Sequence, residues 1–213
     1  MGKKKEKNRF LHASNWWKYL VSLVILVIYL LPIYVIIVAS LKPVTDTSSR
    51  LLPPKTIYWG NYIRAFDAGG LLNAIKNTLI ITVFVVLIEV FAGCLAAYPL
   101  ARNRSKLNKL VKLLIMGVMM VPSMSIVVGV YSTLVSLHAI STYWGIIIVT
   151  AAFGLPLSIY LYSNFISSIP ISLDEAAAID GAGAAQTFFH IIIPQLKPVT
   201  VSVIIMKGVG AWN

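Results

Sequence analysis

A polar gap between two apolar stretches contains the sequence Glu175-Ala176-Ala177-Ala178-Ile179-Asp180-Gly181, and nine residues later Ile191-Ile192-Ile193-Pro194. Ser172 is a natural N-cap, and Glu175 three residues later completes the pattern of a capping box. A turn is predicted at Gly181 and Gly183, because glycine tolerates the backbone angles that end a helix. A second short helix is predicted over 184–192, and Pro194 should stop it. The gap therefore predicts a helix-turn-helix elbow at a membrane surface.

The composition of this elbow indicates a docking surface. Asp174 and Glu175 lie at the positive end of the first helix dipole, where acidic side chains are stabilising. The alanines at 176–178 form a smooth face that allows another backbone to approach closely, whereas a helix that only needs to be soluble carries Lys and Glu there. Capping is the structural alternative for Glu175, and it is compatible with docking.

The rest of the chain is strongly apolar: 58% of its residues are hydrophobic, 12% are charged, and the mean hydropathy is +0.84. Soluble domains do not reach such values, so this is an integral membrane protein. A helical span needs about 20 apolar residues, and continuous runs of this kind exclude the short alternating strands of an outer-membrane barrel. The prediction is an all-α, polytopic helix bundle with spans near 17–41, 77–101, 110–137, 143–164 and 197–213.

The net charge of +11 is placed as in a membrane protein, and it does not indicate nucleic-acid binding. Basic residues precede the first span and fill the connection after the second: Lys3, Lys4, Lys5, Lys7, Arg9, Arg102, Arg104, Lys106, Lys109 and Lys112. Both segments should be cytoplasmic. Alternation then places 42–76 outside and the elbow inside, although 163–196 contains no Lys or Arg.

Two charges fall near the middle of predicted spans, Glu89 and Lys207. Each costs roughly 2.5–3.5 kcal/mol if it faces lipid, so each should face protein or water. A substrate pathway is the functional interpretation, and a structural contact or a mutual ion pair is the alternative. Trp212 and Asn213 combine a ring face with an amide, as sugar sites do, but Trp212 also fits an interfacial belt.

Proline and cysteine add structural detail. Pro32, Pro99, Pro122 and Pro156 should bend the spans that contain them. The apolar run over 19–41 is longer than a signal-peptide core, so the first span is an uncleaved anchor. The single Cys94 forms no internal disulfide and should serve packing. The histidines have no ligand spacing, so neither a metal site nor a cofactor is predicted.

The motif Glu-Ala-Ala, three residues, Gly, nine residues, Ile-x-Ile-Pro resembles the signature loop of ABC-importer permeases, with Ile193 where Leu is usual. Asp180-Gly181-Ala182 is similar to the carbohydrate-uptake branch and its maltose-type second permease. Further matching segments are Ser40-Leu41-Lys42-Pro43, Asn61-Tyr62, Asn77-Thr78-Leu79, Ala97-Tyr98 with Arg102, Ile169-Pro170, and Trp212-Asn213. That family has six spans of the type I permease fold, so five spans of an expected six imply a chain truncated at its C-terminal end.

The resemblance implies a permease subunit in a prokaryotic inner, cytoplasmic membrane, with its N-terminus inside. Residues 1–16 would form a basic N-terminus, and 17–213 a permease domain with its coupling loop at 165–195. The implied partners are a second permease, a pair of ATP-binding cassette subunits, an extracytoplasmic sugar-binding protein and membrane lipid. The chain contains no Gly-x4-Gly-Lys-Ser/Thr loop, so the ATPase must be another polypeptide and this subunit is not itself an enzyme.

By the same resemblance, the elbow over 172–190 is the coupling helix that sits in a groove of the ATPase. Glu175 would pair with a basic residue of that groove, and Gly181 would allow the bend. The implied coupling residues are Ser172, Glu175, Ala176, Ala177, Asp180, Gly181, Gly183 and Pro194. The implied substrate is a sugar or oligosaccharide, and the candidate pathway residues are Lys207, Trp212, Asn213 and Glu89.

The alternative function is a secondary transporter driven by an ion gradient through Glu89 and Lys207. Such folds usually contain internal repeats with interrupted helices at corresponding positions. The sequence shows no second copy of any segment.

Overall fold

A computed structural model describes residues 16–67 and 70–213. The described residues fall into two compact units, and the division lies between Asn73 and Ala74. The predicted basic N-terminus lies outside the described residues, except for Trp16, which starts the first helix. Within the described part of the chain, all regular secondary structure is helical, and this confirms the predicted all-α class.

The first unit contains helix α1, Trp16–Ser40, and the short helix α2, Gly60–Asp67. Pro32 lies inside α1 and does not end it. The side chains from Trp16 to Tyr34 are all exposed in this chain, and Val38 is the buried residue of α1. An apolar helix with so little buried surface needs lipid or another protein around it.

The loop between α1 and α2 is held by polar contacts around Lys42. Its ammonium group is buried and donates to Ser48 Oγ and to the carbonyl of Ser49, both at 2.8 Å. Asn61 donates from Nδ2 to the carbonyls of Ser40 and Lys42, at 2.9 and 2.7 Å. Hydrogen bonding by Ser48 lowers the pKa of Asp46, so this carboxylate stays charged 4.0 Å from Lys42 Nζ. The end of α1 is thereby fastened to α2.

The remaining helices belong to the second unit. They are α3 (Leu71–Arg102), α4 (Lys106–Met119), α5 (Val127–Ser136), α6 (Tyr143–Ser168), α7 (Ser172–Ile179), α8 (Ala184–Gln195) and α9 (Lys197–Trp212). Only the first three residues of α3 fall in the first unit. A 3₁₀ turn, Ser123–Ile126, precedes α5. The core of this unit combines side chains from α3, α6, α8 and α9, which are Cys94, Ala97, Tyr162, Ile166, Phe188, Ile192, Val199 and Val203.

Three helices, α1, α3 and α6, are each long and apolar enough to cross a membrane. The predicted span over 110–137 contains the bend that was predicted at Pro122: α4 and the helical segment Ser123–Ser136 meet at an angle of 93°. Pro122 explains the break, since proline lacks a backbone donor and disfavours helical angles in the residue before it. Pro99 and Pro156, by contrast, lie inside the continuous helices α3 and α6.

The last predicted span is also part of a bent pair. Helix α9 has 16 residues and meets α8 at 72° across Leu196. If each bent pair is counted as one span, the described residues contain five spans, and otherwise three.

We expect Asn61→Ala to loosen the first unit. The change leaves the carbonyls of Ser40 and Lys42 without their amide donor, and losing such partners costs about 1–3 kcal/mol. The thermal unfolding midpoint in detergent should fall, and proteolysis between 43 and 59 should become faster. Asn73→Ala, at an exposed position of α3, is the matched control. If Asn61→Ala and Asn73→Ala have the same thermal midpoint and the same rate of proteolysis, Asn61 does not hold the end of α1 to α2.

Candidate functional site

Helix α7 begins without the predicted capping box. Ser172 is its first residue, and Ile171 occupies the N-cap position with helical angles and no side-chain cap. The amides of Leu173, Asp174 and Glu175 donate to the backbone carbonyls of Pro170 and Ile171 at 3.3, 2.9 and 3.1 Å. Because the chain already turns at Pro170, these backbone bonds satisfy the first amides, and neither Ser172 nor Glu175 is needed as a cap.

The end of α7 is a Schellman turn centred on Gly181. Gly181 has φ +82°, a left-handed conformation that glycine adopts without strain. The amide of Ala182 donates to the carbonyl of Ala177 at 2.9 Å, and the amide of Gly181 to that of Ala178 at 3.1 Å. These two bonds define the motif and satisfy the last carbonyls of α7.

The second limb of the elbow, α8, is longer than the predicted 184–192. The amide of Gly183, the N-cap residue, donates to Gln186 Oε1 at 3.0 Å, and this bond caps the start of α8. Thr187–Ile192 is π-helical, with the amide of Ile193 bonded to the carbonyl of Phe188. Pro194 does not stop this limb, which continues to Gln195, because proline is tolerated where the helix is already irregular.

Most of the predicted coupling residues lie on the surface of the elbow. Ser172, Glu175, Ala176, Asp180, Gly181, Gly183 and Pro194 are exposed. Ala177 is the exception, since it is only 4% exposed and packs inward. The alanines therefore do not form one common face: Ala176 and Ala178 point outward and Ala177 does not.

The acidic residue that holds the elbow in place is Asp174, next to the exposed Glu175. Its Oδ2 lies 2.8 Å from Arg102 Nη2, and its Oδ1 accepts a hydrogen bond from Tyr98 at 2.7 Å. Arg102 also donates from Nη1 to the carbonyls of Ile166 and Ile169, at 3.1 and 3.0 Å. One guanidinium thus connects the end of α3, the end of α6 and the start of α7. We call Asp174, Arg102 and Tyr98 the elbow anchor.

Aromatic packing supports the same connection. The rings of Tyr98 and Phe188 have centroids 5.0 Å apart, and Phe188 is buried in the core of this unit. Tyr98 therefore contacts both limbs of the elbow, through its hydroxyl on α7 and its ring on α8. The sequence places Asp174 at a helix start and Arg102 among cytoplasmic cations, but it contains no local signal that pairs them.

Glu89 and Lys207 meet inside the second unit. Lys207 Nζ lies 3.4 Å from Glu89 Oε2 and donates to the carbonyl of Gly154 at 2.7 Å. Ser158 Oγ donates to the same carboxylate at 3.0 Å. The Glu89 side chain is 2% exposed and that of Lys207 12%. The pair joins α3, α6 and α9, and it matches the structural alternative that the sequence left open.

The close approach of α6 to this pair depends on glycine. A Cβ at Gly154 would overlap the carboxylate of Glu89, and one at Gly93 would lie 3.1 Å from Cβ of Ser158. Small residues at these positions let the helices approach closely enough for the polar contacts to form.

Trp212 and Asn213 lie at the end of α9 and are exposed, with Trp212 at 50%. The structure does not bring them together with Glu89 or Lys207 in a polar contact among the described residues. Their predicted role in a substrate pathway stays a prediction. Across 16–67 and 70–213, no group of three or more His, Cys, Asp or Glu side chains could hold a metal ion.

Residues 89–213, which include the elbow, the elbow anchor and the buried ion pair, match a known family of membrane transport subunits. The chain belongs to the family described as the inner membrane component of binding-protein-dependent transport systems.

Curated relatives extend the similarity over nearly the whole chain. The melibiose/raffinose/stachyose import permease protein MelC of Bacillus subtilis is 39% identical over 195 residues, which cover 91% of this chain and 71% of MelC. The multiple sugar-binding transport system permease protein MsmG of Streptococcus mutans is 34% identical over 216 residues, which cover 99% of this chain and 75% of MsmG.

A solved structure shows the same fold. It is the crystal structure of a bacterial ABC transporter involved in the import of the acidic polysaccharide alginate. The match has a TM-score of 0.80 at 25% identity and covers 94% of this chain and 72% of that chain. The predicted fold, a polytopic helix bundle of the ABC importer permease kind, is confirmed.

We expect Arg102→Ala to separate the elbow from α3. The change leaves the Asp174 carboxylate and two carbonyls without a charged donor, and such losses cost about 1–3 kcal/mol or more. The thermal midpoint should fall, while Lys106→Ala, at an exposed cation at the start of α4, should leave it unchanged. Arg102→Lys should restore only part of the loss, because an ammonium group cannot reproduce the guanidinium fork. Equal midpoints for Arg102→Ala and Lys106→Ala would contradict the anchor.

We expect the buried ion pair to show strong coupling in a double-mutant cycle. Removing one partner strands the other charge in the interior and costs about 3–5 kcal/mol. Glu89→Gln and Lys207→Met should each lower the thermal midpoint strongly, and the double variant should recover most of the loss. Additive losses would show that the two side chains do not depend on each other.

Proposed function

We propose that this chain is the permease subunit of an ATP-driven sugar importer and that its elbow receives the movement of a separate ATPase. The observation that carries the proposal is the division of labour between two adjacent carboxylates. Asp174 is tied to Arg102 and Tyr98, whereas Glu175 projects from the exposed face of the same helix. One carboxylate holds the helix to the membrane-spanning core, and the other is presented to a partner.

The contacts of the elbow provide a route from partner to pathway. Displacement of α7 acts directly on α6, which precedes it in the chain, and on α3 through the elbow anchor. Displacement of α8 acts on α9 across the bend at Leu196. The Glu89–Lys207 ion pair also links α3, α6 and α9, so these three helices move together. A push on the elbow therefore tilts several helices jointly, which is what a switch between inward and outward access requires.

The family and the names of the relatives support the choice of partners. A transport system that depends on a binding protein includes an extracytoplasmic binding protein, and the relatives named here are sugar permeases. We propose a second permease and a pair of ATP-binding cassette subunits as the further components. The substrate class is a sugar or oligosaccharide, and Trp212 and Asn213 remain the proposed pathway residues. The contacts of Glu89 and Lys207 favour a structural role for this pair.

Orientation follows from charge. The end of α3, the loop after it and the start of α4 carry Arg102, Arg104, Lys106 and Lys109, and positively charged connections face the cytoplasm. The elbow anchor joins α7 to the same end of α3, so the elbow lies on the same side. We therefore propose a cytoplasmic N-terminus, because one predicted span separates it from the 42–76 loop and a second one separates that loop from Arg102.

The test is charge reversal at Glu175 in proteoliposomes that contain the assembled transporter. Glu175→Lys should repel a basic groove on the ATPase, so sugar uptake per ATP hydrolysed should fall at least tenfold while the chain keeps its thermal midpoint. Asp67→Lys makes the same change in charge at the exposed end of α2 and serves as the control. Unchanged coupled uptake in Glu175→Lys would sink the proposal, and uptake driven by an ion gradient without ATP would establish the secondary transporter instead.

A further inference from the structure

A basic cavity lies beside the elbow anchor, where α3 ends, α4 begins and α6 ends. Its volume is about 470 Å³. Four cationic side chains line it, Arg102, Arg104, Lys109 and Lys112, together with amide and hydroxyl groups, and no carboxylate is among its lining residues. Four cations around one cavity repel one another, so a bound anion would stabilise the arrangement.

Three of these cations are available to a ligand. Arg102 is already engaged by Asp174. None of the ion pairs found within the described residues involves Arg104, Lys109 or Lys112. Lys109 and Lys112 are three residues apart on α4, which places them on one side of the helix.

A mostly apolar groove of about 110 Å³ lies next to the cavity, between α4 and α6. Leu100 and Lys112 line both spaces, so Lys112 stands at the junction between them. The groove is also lined by Ile115 and Met116 from α4 and by Ile159, Tyr160, Ser163 and Asn164 from α6. The site thus has a cationic end and an apolar end in sequence along α4.

We infer that this composite site binds an anionic phospholipid of the cytoplasmic leaflet. Its phosphate headgroup would lie among Arg104, Lys109 and Lys112, and one acyl chain would follow the groove past Met116. A phosphate headgroup carries the required charge, and basic pockets between helices on the cytoplasmic side are the usual place for such lipids. Free phosphate would leave the apolar groove unfilled, and so would the carboxylates of an acidic protein segment.

The inference rests on the proposed orientation, which puts this end of α3 and α4 at the cytoplasmic leaflet. It also has a consequence for the elbow, since Arg102 lines the cavity and at the same time pairs with Asp174. A headgroup bound there would hold the start of α4 against the end of α6, next to the residues that position α7.

The experiment measures lipid retention on the assembled transporter by native mass spectrometry. The complex is purified from vesicles of equal parts phosphatidylglycerol and phosphatidylcholine with matched acyl chains. The variant R104Q/K109Q/K112Q is compared with K18Q/K106Q/K197Q, which removes three cations placed on the same side of the membrane and outside the cavity. Met116→Trp fills the groove without changing charge, at a half-exposed position that accepts a larger side chain.

Phosphatidylglycerol retained per complex should fall roughly tenfold or more in R104Q/K109Q/K112Q and in Met116→Trp. It should stay at the wild-type level in K18Q/K106Q/K197Q. Equal retention in the two triple variants would overturn the site. Displacement of the lipid by millimolar glycerol 3-phosphate would also overturn it, because the site would then recognise the soluble phosphate.

Loss of a protein subunit from R104Q/K109Q/K112Q with unchanged lipid retention would likewise overturn the inference and make the cavity a protein contact. Failure of the proposed function gives a different result. If no ATP-binding cassette subunit copurifies with the chain, the importer proposal fails. The comparison of lipid retention between the variants still tests the lipid site in that case.

Discussion

The arrangement of the second unit depends on the contact between Asp174 and Arg102. Helix α7 buries only Ala177, so hydrophobic packing alone gives this helix little reason to lie in one position on the membrane surface. The guanidinium supplies that reason, because it forms an ion pair with a carboxylate on α7 and donates hydrogen bonds to two carbonyls at the end of α6, while it is itself part of α3. Arginine suits this task since its donors form a rigid fork and it stays charged when half-buried.

Sequence patterns predicted the parts of this fold that depend on local composition. Apolar runs located α1, α3 and α6, and the glycine at 181 marked the turn that ends α7. They predicted a bend at Pro122 and at three other prolines, but they did not predict that of these four only Pro122 interrupts its helix, because local packing decides which helix continues through a proline. The capping box failed for a related reason: Ile171 already adopts helical angles, so backbone bonds do the work assigned to Ser172.

Sequence patterns did not predict the contacts between residues that are distant in the chain. Glu89 and Lys207 each carried the signal of an intramembrane charge, but the same signal fits a pathway residue and half of an ion pair. The choice between them needs the distance across α3, α6 and α9. Gly154 is an example. The sequence alone does not explain this glycine, because its role depends on the Glu89 carboxylate, which lies where a side chain at position 154 would be.

The bend between α4 and α5 restricts where lipid can touch this protein. Around Pro122, the chain passes from α-helix through a turn to a 3₁₀ segment, so several peptide groups lack the regular partners of a continuous helix. Hydrocarbon cannot hydrogen-bond to such groups, and irregular backbone at membrane depth survives only against protein or water. If the bend lies at membrane depth, its outer surface, where Met120 and Met124 are each 83% exposed, needs another subunit or an aqueous space beside it.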